Sequence, residues 1–139
     1  MSANKIIKTM KEKDVEYVDL RFTDPRGKLQ HLTMDGKMVD EKMLNDGVFF
    51  DGSSIAGWKA INESDMILKP DLDRQILDPF TSHTTLVLFC DVLDAVKKDP
   101  YERDPRSIAK KAEVYLKKSG IGDKAYFGPE AEFFVFDDV

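Results

Sequence analysis

The sequence predicts an α+β fold over about residues 1–104, in which a sheet of four or more strands is covered by helices on one side. Residues 15–22 alternate between apolar and polar side chains, which is typical of a strand with one buried face. Residues 84–91 contain a continuous apolar run, which indicates a strand at the centre of a sheet. Apolar residues at helical spacing within residues 3–10 and 40–46 predict the covering helices.

Local signals predict the first elements in chain order. A helix is expected over residues 2–10, because polar cap candidates precede apolar residues three and four positions apart. The strand at 15–22 is followed by Asp24-Pro25-Arg26-Gly27, which has the composition of a type I turn. Residues 28–34 should therefore return antiparallel and complete a hairpin. Residues 40–46 are predicted to form a short helix, which the glycine after it ends.

The middle of the chain is less regular in its pattern. Residues 48–65 are predicted to be a loop that carries polar groups suited to chemistry. A short strand is expected at residues 66–68, ahead of the central strand at 84–91. The stretch between these two strands contains Pro70 and Pro79 and is predicted to be irregular.

We predict two domains, residues 1–104 and 105–139, of which the second is cut short. Asp104 can cap a helix that begins with the proline after it and ends at Ser119-Gly120. Residues 124–136 are predicted to form a long strand with apolar residues on both faces. Such a strand at the end of a finished domain would promote aggregation, so we expect the chain to be the front part of a longer protein.

Composition disfavours several classes of protein. The formal net charge of −5 repels polyanions, so nucleic-acid binding is not expected. No segment resembles an export signal or a membrane span, and we therefore expect a cytoplasmic protein without membrane partners. The phosphate-binding loop, the dinucleotide fingerprint and the nucleophile elbow are all absent from the sequence. His31, His83 and the single cysteine, Cys90, are expected to have structural roles.

Two carboxylates on the predicted strand at 124–136 are candidate metal ligands. Glu130 and Glu132 are two residues apart, so on a strand they would project from the same face, roughly 7 Å from each other. A cation relieves the repulsion between such a pair, and hard oxygen ligands suit Mg²⁺ or Mn²⁺. The spacing fits equally well a solvated strand end that protects a sheet edge from aggregation.

The segment Asp51-Gly52-Ser53-Ser54 is a second candidate site. Its carboxylate, two hydroxyl groups and glycine backbone could hold a cation or a polar substrate. The same residue types form turns in which the side chains satisfy local backbone groups, and the segment alone favours that interpretation. The neighbouring aromatic residues Phe49, Phe50 and Trp58 are expected in a core or an interface rather than against a ligand.

Two long motifs together are more specific than either site alone. Residues 50–58 read FDGSSIAGW, residues 126–136 read YFGPEAEFFVF, and between them residues 66–71 read MILKPD. These segments, in this order, resemble the N-terminal part of the bacterial-type (type I) glutamine synthetase family, and the resemblance covers essentially the whole chain. It implies a β-grasp (ubiquitin-like) domain followed by the first helix and strand of a catalytic α/β barrel-like domain.

The resemblance also implies a function for the candidate residues. Glutamine synthetases use ATP to join glutamate and ammonia through γ-glutamyl phosphate, so ATP would be a co-substrate. Glu130 and Glu132 look like ligands of the catalytic Mg²⁺ or Mn²⁺ ions. Asp51 is similar to the residue that binds ammonium and helps to deprotonate it, and Ser54 lies beside it. This loop would complete the active site of the neighbouring subunit in a ring, usually a dodecamer.

Residues of the family's site beyond Val139 cannot be assigned, so the fragment by itself is expected to be inactive. Two other interpretations remain open. The chain could belong to a related ligase that joins glutamate to another amine, such as a polyamine. It could also be a stand-alone β-grasp interaction module, because a shared fold does not by itself determine function.

Overall fold

The computed structural model describes residues 2–58 and 64–138, which form two compact units, residues 1–109 and 110–139. Within these described residues, the α-helices and strands are two short helices, five strands and one longer helix. In chain order they are α1 (Ala3–Glu12), β1 (Tyr17–Thr23), β2 (Leu29–Asp35), α2 (Glu41–Asp46), β3 (Val48–Asp51), β4 (Asp65–Leu77), β5 (Thr85–Asp94) and α3 (Pro105–Ser119). The predicted first helix, hairpin and second helix are thereby confirmed.

The five strands form one mixed sheet in the order β2-β1-β5-β4-β3. Strand β5 lies at its centre, as predicted, and pairs parallel with β1 and antiparallel with β4. Apolar side chains of α1 and α2 pack against one face of the sheet, where Ile6, Leu44, Leu20 and Leu88 are all fully buried. Cys90 belongs to the same core, and burial raises the pKa of its thiol well above the ordinary range.

Helix α2 connects the hairpin to β3 and is fixed at both ends. Asp40 Oδ1 accepts a hydrogen bond from the Met43 amide at 2.7 Å, which satisfies one of the free N–H groups of the first turn. Gly47 follows the helix with φ +88°, in the left-handed region that favours glycine. A β-carbon at Gly47 would lie 2.5 Å from Ile67 Cγ2 and 2.6 Å from the Leu68 carbonyl oxygen.

Gly47→Ala is therefore expected to destabilise the protein. The left-handed backbone and the clash with β4 together should lower the free energy of unfolding by about 3 kcal/mol. Gly27→Ala is the matched control, because Gly27 has φ +85° but no atom of the described residues lies within 4 Å of the added carbon, so it should cost about 1 kcal/mol. Urea unfolding followed by circular dichroism measures both, and equal losses would show that the clash is relieved at no cost.

Two predictions for the middle of the chain were wrong. Residues 48–51, expected in a loop, form β3, which pairs antiparallel with residues 65–68 of β4. Strand β4 does not end at residue 68 but continues to Leu77, with a register shift between Pro70 and Gln75. Because β3 pairs with β4 only as far as Leu68, the missing N–H of Pro70 interrupts no pairing on that side.

The prediction of a strand at residues 124–136 was also wrong. In the second unit, α3 ends at Ser119 and Gly120 follows with φ +71°, as expected. Residues 124–136 then form no strand, and their aromatic side chains are exposed. A strand requires hydrogen bonds to a neighbouring strand, and no described residue of the chain pairs with this segment. The alternating pattern identified a segment able to form a strand, but the pairing partner is a separate requirement.

Candidate functional site

Asp51 stands at the end of β3, where the chain leaves the sheet. It lies opposite Asp65 of β4 and begins a short 3-10 turn, Gly52–Ser54. Its Oδ1 atom accepts hydrogen bonds from the Ser53 amide at 2.8 Å and the Ser53 hydroxyl at 2.6 Å. These bonds, above all the one from the hydroxyl, lower the pKa of Asp51, so its exposed carboxylate is ionised at neutral pH.

The start of this turn is packed tightly against the sheet. Gly52 is buried, and its amide donates to the Ser64 carbonyl at 2.7 Å. A β-carbon at Gly52 would collide with the Met66 side chain and would lie 3.0 Å from the Ser64 carbonyl oxygen. The close approach of the backbone to β4 holds the Asp51 carboxylate at a defined place on the sheet edge.

Ser54 lies in the same turn as Asp51 and is exposed. The structure thus brings Asp51 and Ser54 together, as their sequence proximity required. Their contributions to ammonium binding stay predictions. The turn interpretation of this segment holds as well, because Asp51 satisfies the Ser53 amide while its carboxylate remains exposed to solvent.

The far end of the loop is held by an aromatic cluster. Trp58 is 6% exposed, and its ring lies 5.7 Å from that of Phe22 and 6.2 Å from that of Phe50. Phe50 and Trp58 are therefore core residues, as expected, whereas Phe49 on the other face of β3 is 64% exposed. The loop between Asp51 and Trp58 is anchored to the sheet at both ends.

Glu130 and Glu132, the candidate metal ligands, lie in the unit of residues 110–139. Both side chains are exposed. Among the described residues, no group of three or more His, Cys, Asp or Glu side chains is arranged to hold a metal ion. Both residues carry the hard carboxylate oxygens that Mg²⁺ and Mn²⁺ prefer. Their role as metal ligands stays a prediction.

A buried polar cluster in the sheet was missed by sequence reasoning. Asp19 of β1 is 4% exposed, and its carboxylate accepts from Thr33 Oγ1 at 2.7 Å, His31 Nδ1 at 2.9 Å and Arg21 Nε at 2.7 Å. Arg21 also donates to Asp78. Burial would raise the pKa of Asp19, but these hydrogen bonds outweigh it and lower the pKa. The cluster gives His31 the structural role expected for it.

The lowered pKa of Asp19 predicts a loss of stability in acid. The unfolded chain binds a proton at this carboxylate more readily than the folded protein does, so its contribution is present above about pH 4, the ordinary range of an aspartate, and is lost progressively as the pH falls below that range. Asp19→Asn removes the titrating group. The free energy of unfolding of the wild-type protein should therefore fall more steeply across this range than that of the variant, and parallel curves would contradict the assignment.

Comparison with known proteins places the chain in a family. Residues 14–95, more than half of the chain, match the family described as "Glutamine synthetase, beta-Grasp domain". The chain belongs to the glutamine synthetase family. Residues 102–139 match the family described as "Glutamine synthetase, catalytic domain". Matches to the two domains therefore follow each other along this chain. The β-grasp fold expected from the sequence is confirmed.

Individual glutamine synthetases match nearly the whole chain. That of Rhizobium meliloti is 65% identical over 138 residues, which cover 99% of this chain and 29% of the relative. That of Methylococcus capsulatus is 56% identical over 139 residues, or 100% of this chain and 30% of the relative. A cryo-EM structure of Plasmodium falciparum glutamine synthetase superposes with a TM-score of 0.77 and 25% identity, over 86% of this chain and 23% of that one.

The chain therefore spans about three tenths of the length of the curated glutamine synthetases it matches. In residues 2–58 and 64–138, no helix combines the length and the apolar character needed to cross a membrane.

Proposed function

We propose that the chain is part of a cytoplasmic glutamine synthetase. The full-length enzyme condenses glutamate with ammonia, forms γ-glutamyl phosphate from ATP, and releases glutamine, ADP and phosphate. The observation that carries this proposal is the match of both glutamine synthetase domains in order on one chain. A stand-alone β-grasp module would have no reason to carry the start of a catalytic domain.

In this proposal Asp51 binds ammonium and accepts its proton as ammonia forms. The ionised carboxylate supports the binding part of this role, because its negative charge attracts the ammonium cation. Its unprotonated oxygens also have lone pairs to which a proton can be transferred. Its rigid attachment to the sheet edge also supports it, since a general base acts only from hydrogen-bonding distance. Ser54, three positions after Asp51 at the end of the same turn, presents a hydroxyl to the same substrate.

Glu130 and Glu132 would hold Mg²⁺ or Mn²⁺ in the full-length enzyme. Their carboxylates are hard oxygen donors, which fit either ion, and the remaining ligands would come from elsewhere in the protein. When bound, the metal ions neutralise charge that develops on the transferring phosphoryl group of ATP. The two glutamates bind and orient the ions.

The Asp51 loop would act in the active site of a second copy of the chain. We propose a ring, in the form of a dodecamer, in which the loop of one protomer completes the site of its partner. The exposed Asp51 carboxylate supports this arrangement. Asp51 is not part of the hydrophobic core, so its side chain is accessible to a second copy of the chain. A ring built from head-to-tail contacts joins two different surfaces at each interface.

The proposal is tested by assaying the full-length enzyme with ATP, glutamate and Mg²⁺ and varying the amine. Glutamine and ADP should form in equal amounts when ammonium is supplied. Release of ADP that requires a polyamine instead would identify the related amine ligase. If the protein consumes no ATP with any amine, the proposed ligase activity is wrong and the interaction module remains as the function.

A further inference from the structure

The segment between β5 and α3 contains a buried tyrosine that faces the Asp51 loop. Tyr101 is 9% exposed. Its amide donates to the Val92 carbonyl at 2.8 Å, and its carbonyl accepts from the Asp104 amide at 3.2 Å. Both bonds fix the Tyr101 backbone beside the central strand, so its side chain has a rigid base.

The Tyr101 side chain contacts the far end of the loop in two ways. Its hydroxyl donates to the Trp58 carbonyl at 3.2 Å. Its ring lies edge-on to the Trp58 ring, with 5.7 Å between the centroids. Arg103 adds a hydrogen bond from Nη1 to the Gly57 carbonyl at 2.9 Å. The loop carbonyls at 57 and 58 are thus held by residues more than forty positions later in the chain.

Short backbone bonds connect this end of the loop to the turn that begins at Asp51. The Trp58 amide donates to the Ile55 carbonyl at 3.2 Å, and the Ile55 amide donates to the Gly52 carbonyl at 3.1 Å. Ile55 is buried in the core cluster. Through these two hydrogen bonds, a shift of Trp58 would displace Ile55 and then Gly52, the residue that follows Asp51.

We propose that Tyr101 is a positioning residue for Asp51. It acts through Trp58 and keeps the loop in the one arrangement that presents the Asp51 carboxylate to ammonium. The inference rests on the proposed function, because it assumes that Asp51 binds ammonium. A loop that is correctly placed for only part of the time binds its ligand with an apparent affinity reduced by that fraction.

Tyr101→Phe in the full-length enzyme tests the contact, because it removes the hydroxyl and keeps the ring. The KM for ammonium should rise about fivefold, the effect of losing one neutral hydrogen bond. The KM values for ATP and glutamate should stay within about twofold. Tyr17→Phe is the matched control, since it removes the same group from a tyrosine of β1 whose ring lies against His83, and it should leave all three constants unchanged.

A double variant separates positioning from general destabilisation. If Tyr101 acts through Asp51, adding Tyr101→Phe to Asp51→Asn should raise the ammonium KM no further. If the two substitutions raise the ammonium KM independently, so that their effects multiply in the double variant, the proposal is overturned. Arg103→Gln, at an exposed residue, provides a second variant that loosens the same end of the loop if Tyr101→Phe impairs assembly.

Hydrogen exchange provides a readout that does not depend on activity. The amides of residues 52–58 should exchange about fivefold faster in Tyr101→Phe than in Tyr17→Phe. Equal exchange would overturn the positioning role even if Asp51 binds ammonium. A third outcome is possible: exchange is faster in Tyr101→Phe, but Asp51→Asn keeps the wild-type ammonium KM. In that case the contact of Tyr101 with the loop is real, and the proposed role of Asp51 in ammonium binding is wrong.

Discussion

Asp51→Asn in the full-length enzyme is expected to raise the ammonium KM by roughly 10- to 150-fold and to lower kcat. The substitution removes the negative charge that is proposed to attract ammonium, and a hydrogen bond to a charged group is worth about 1.5–3 kcal/mol. It also removes the group that is proposed to accept the proton. The KM values for ATP and glutamate should change little, because Asp51 makes no contact with either in the proposed site.

The loop should keep its shape in this variant. An asparagine oxygen can accept the hydrogen bonds that Ser53 donates to Asp51, and asparagine is as good a cap as aspartate. Asp35→Asn is the matched control: Asp35 also begins a 3-10 turn that starts with glycine, and its Oδ1 accepts from the Lys37 amide at 2.8 Å. If Asp35→Asn weakened ammonium use as strongly, the effect would belong to turn stability rather than to the ammonium site.

Mixed rings test whether Asp51 acts in the site of a neighbouring protomer. A subunit with Asp51→Asn still carries an intact Glu130, and a subunit with Glu130→Ala still carries an intact Asp51. In a head-to-tail ring, some interfaces between the two variants combine both intact residues. Rings assembled from the two impaired variants should therefore regain part of the wild-type activity at ammonium and Mg²⁺ concentrations too low to support either parent ring. Verified mixed rings no more active than their parents would show that Asp51 serves its own subunit.

Glu130→Ala or Glu132→Ala is expected to raise the Mg²⁺ concentration needed for half-maximal activity by about tenfold or more and to lower kcat. Each substitution removes a hard oxygen ligand from the proposed metal site. Titration of Mg²⁺ and of Mn²⁺ at saturating ATP and glutamate measures the requirement directly.

Glu113→Ala is the control for both glutamates. Glu113 lies in the same unit and forms an exposed ion pair with Lys117 at 2.8 Å, an interaction that contributes little to stability. Its removal should leave the metal requirement unchanged. If Glu130→Ala and Glu132→Ala behave like this control, the pair has the protective edge role that the spacing also fits.

The elements that were predicted correctly carry their signals within a few residues. The hairpin of β1 and β2 follows from an alternating pattern and a turn with Pro25 and Gly27. Helix α2 follows from the apolar residues within 40–46 and from Gly47 at its end, and in the structure Asp40 caps its start. In each case a side chain accepts hydrogen bonds from backbone N–H groups a few residues away. No distant residue is therefore needed to form the element.

The candidate site was predictable only in part. Asp51 and Ser54 share one turn, so their proximity follows from the sequence. The support of that turn does not, because Tyr101 reaches Trp58 across 43 positions and no local pattern joins them. The Asp19 cluster escaped notice for the same reason, since Arg21 and Asp78 are 57 positions apart.

The sequence by itself determined the class of fold, the presence of the short helices, the end of α2 at Gly47, the hairpin and the motifs that place the chain in its family. Tertiary structure alone decided that residues 48–51 form β3, that β4 continues past Pro70, and that residues 124–136 form no strand. The physical reason is the same in all three cases. A helix hydrogen-bonds within itself, whereas a strand exists only where another part of the chain supplies its partner, and that partner is chosen by the packing of the whole sheet.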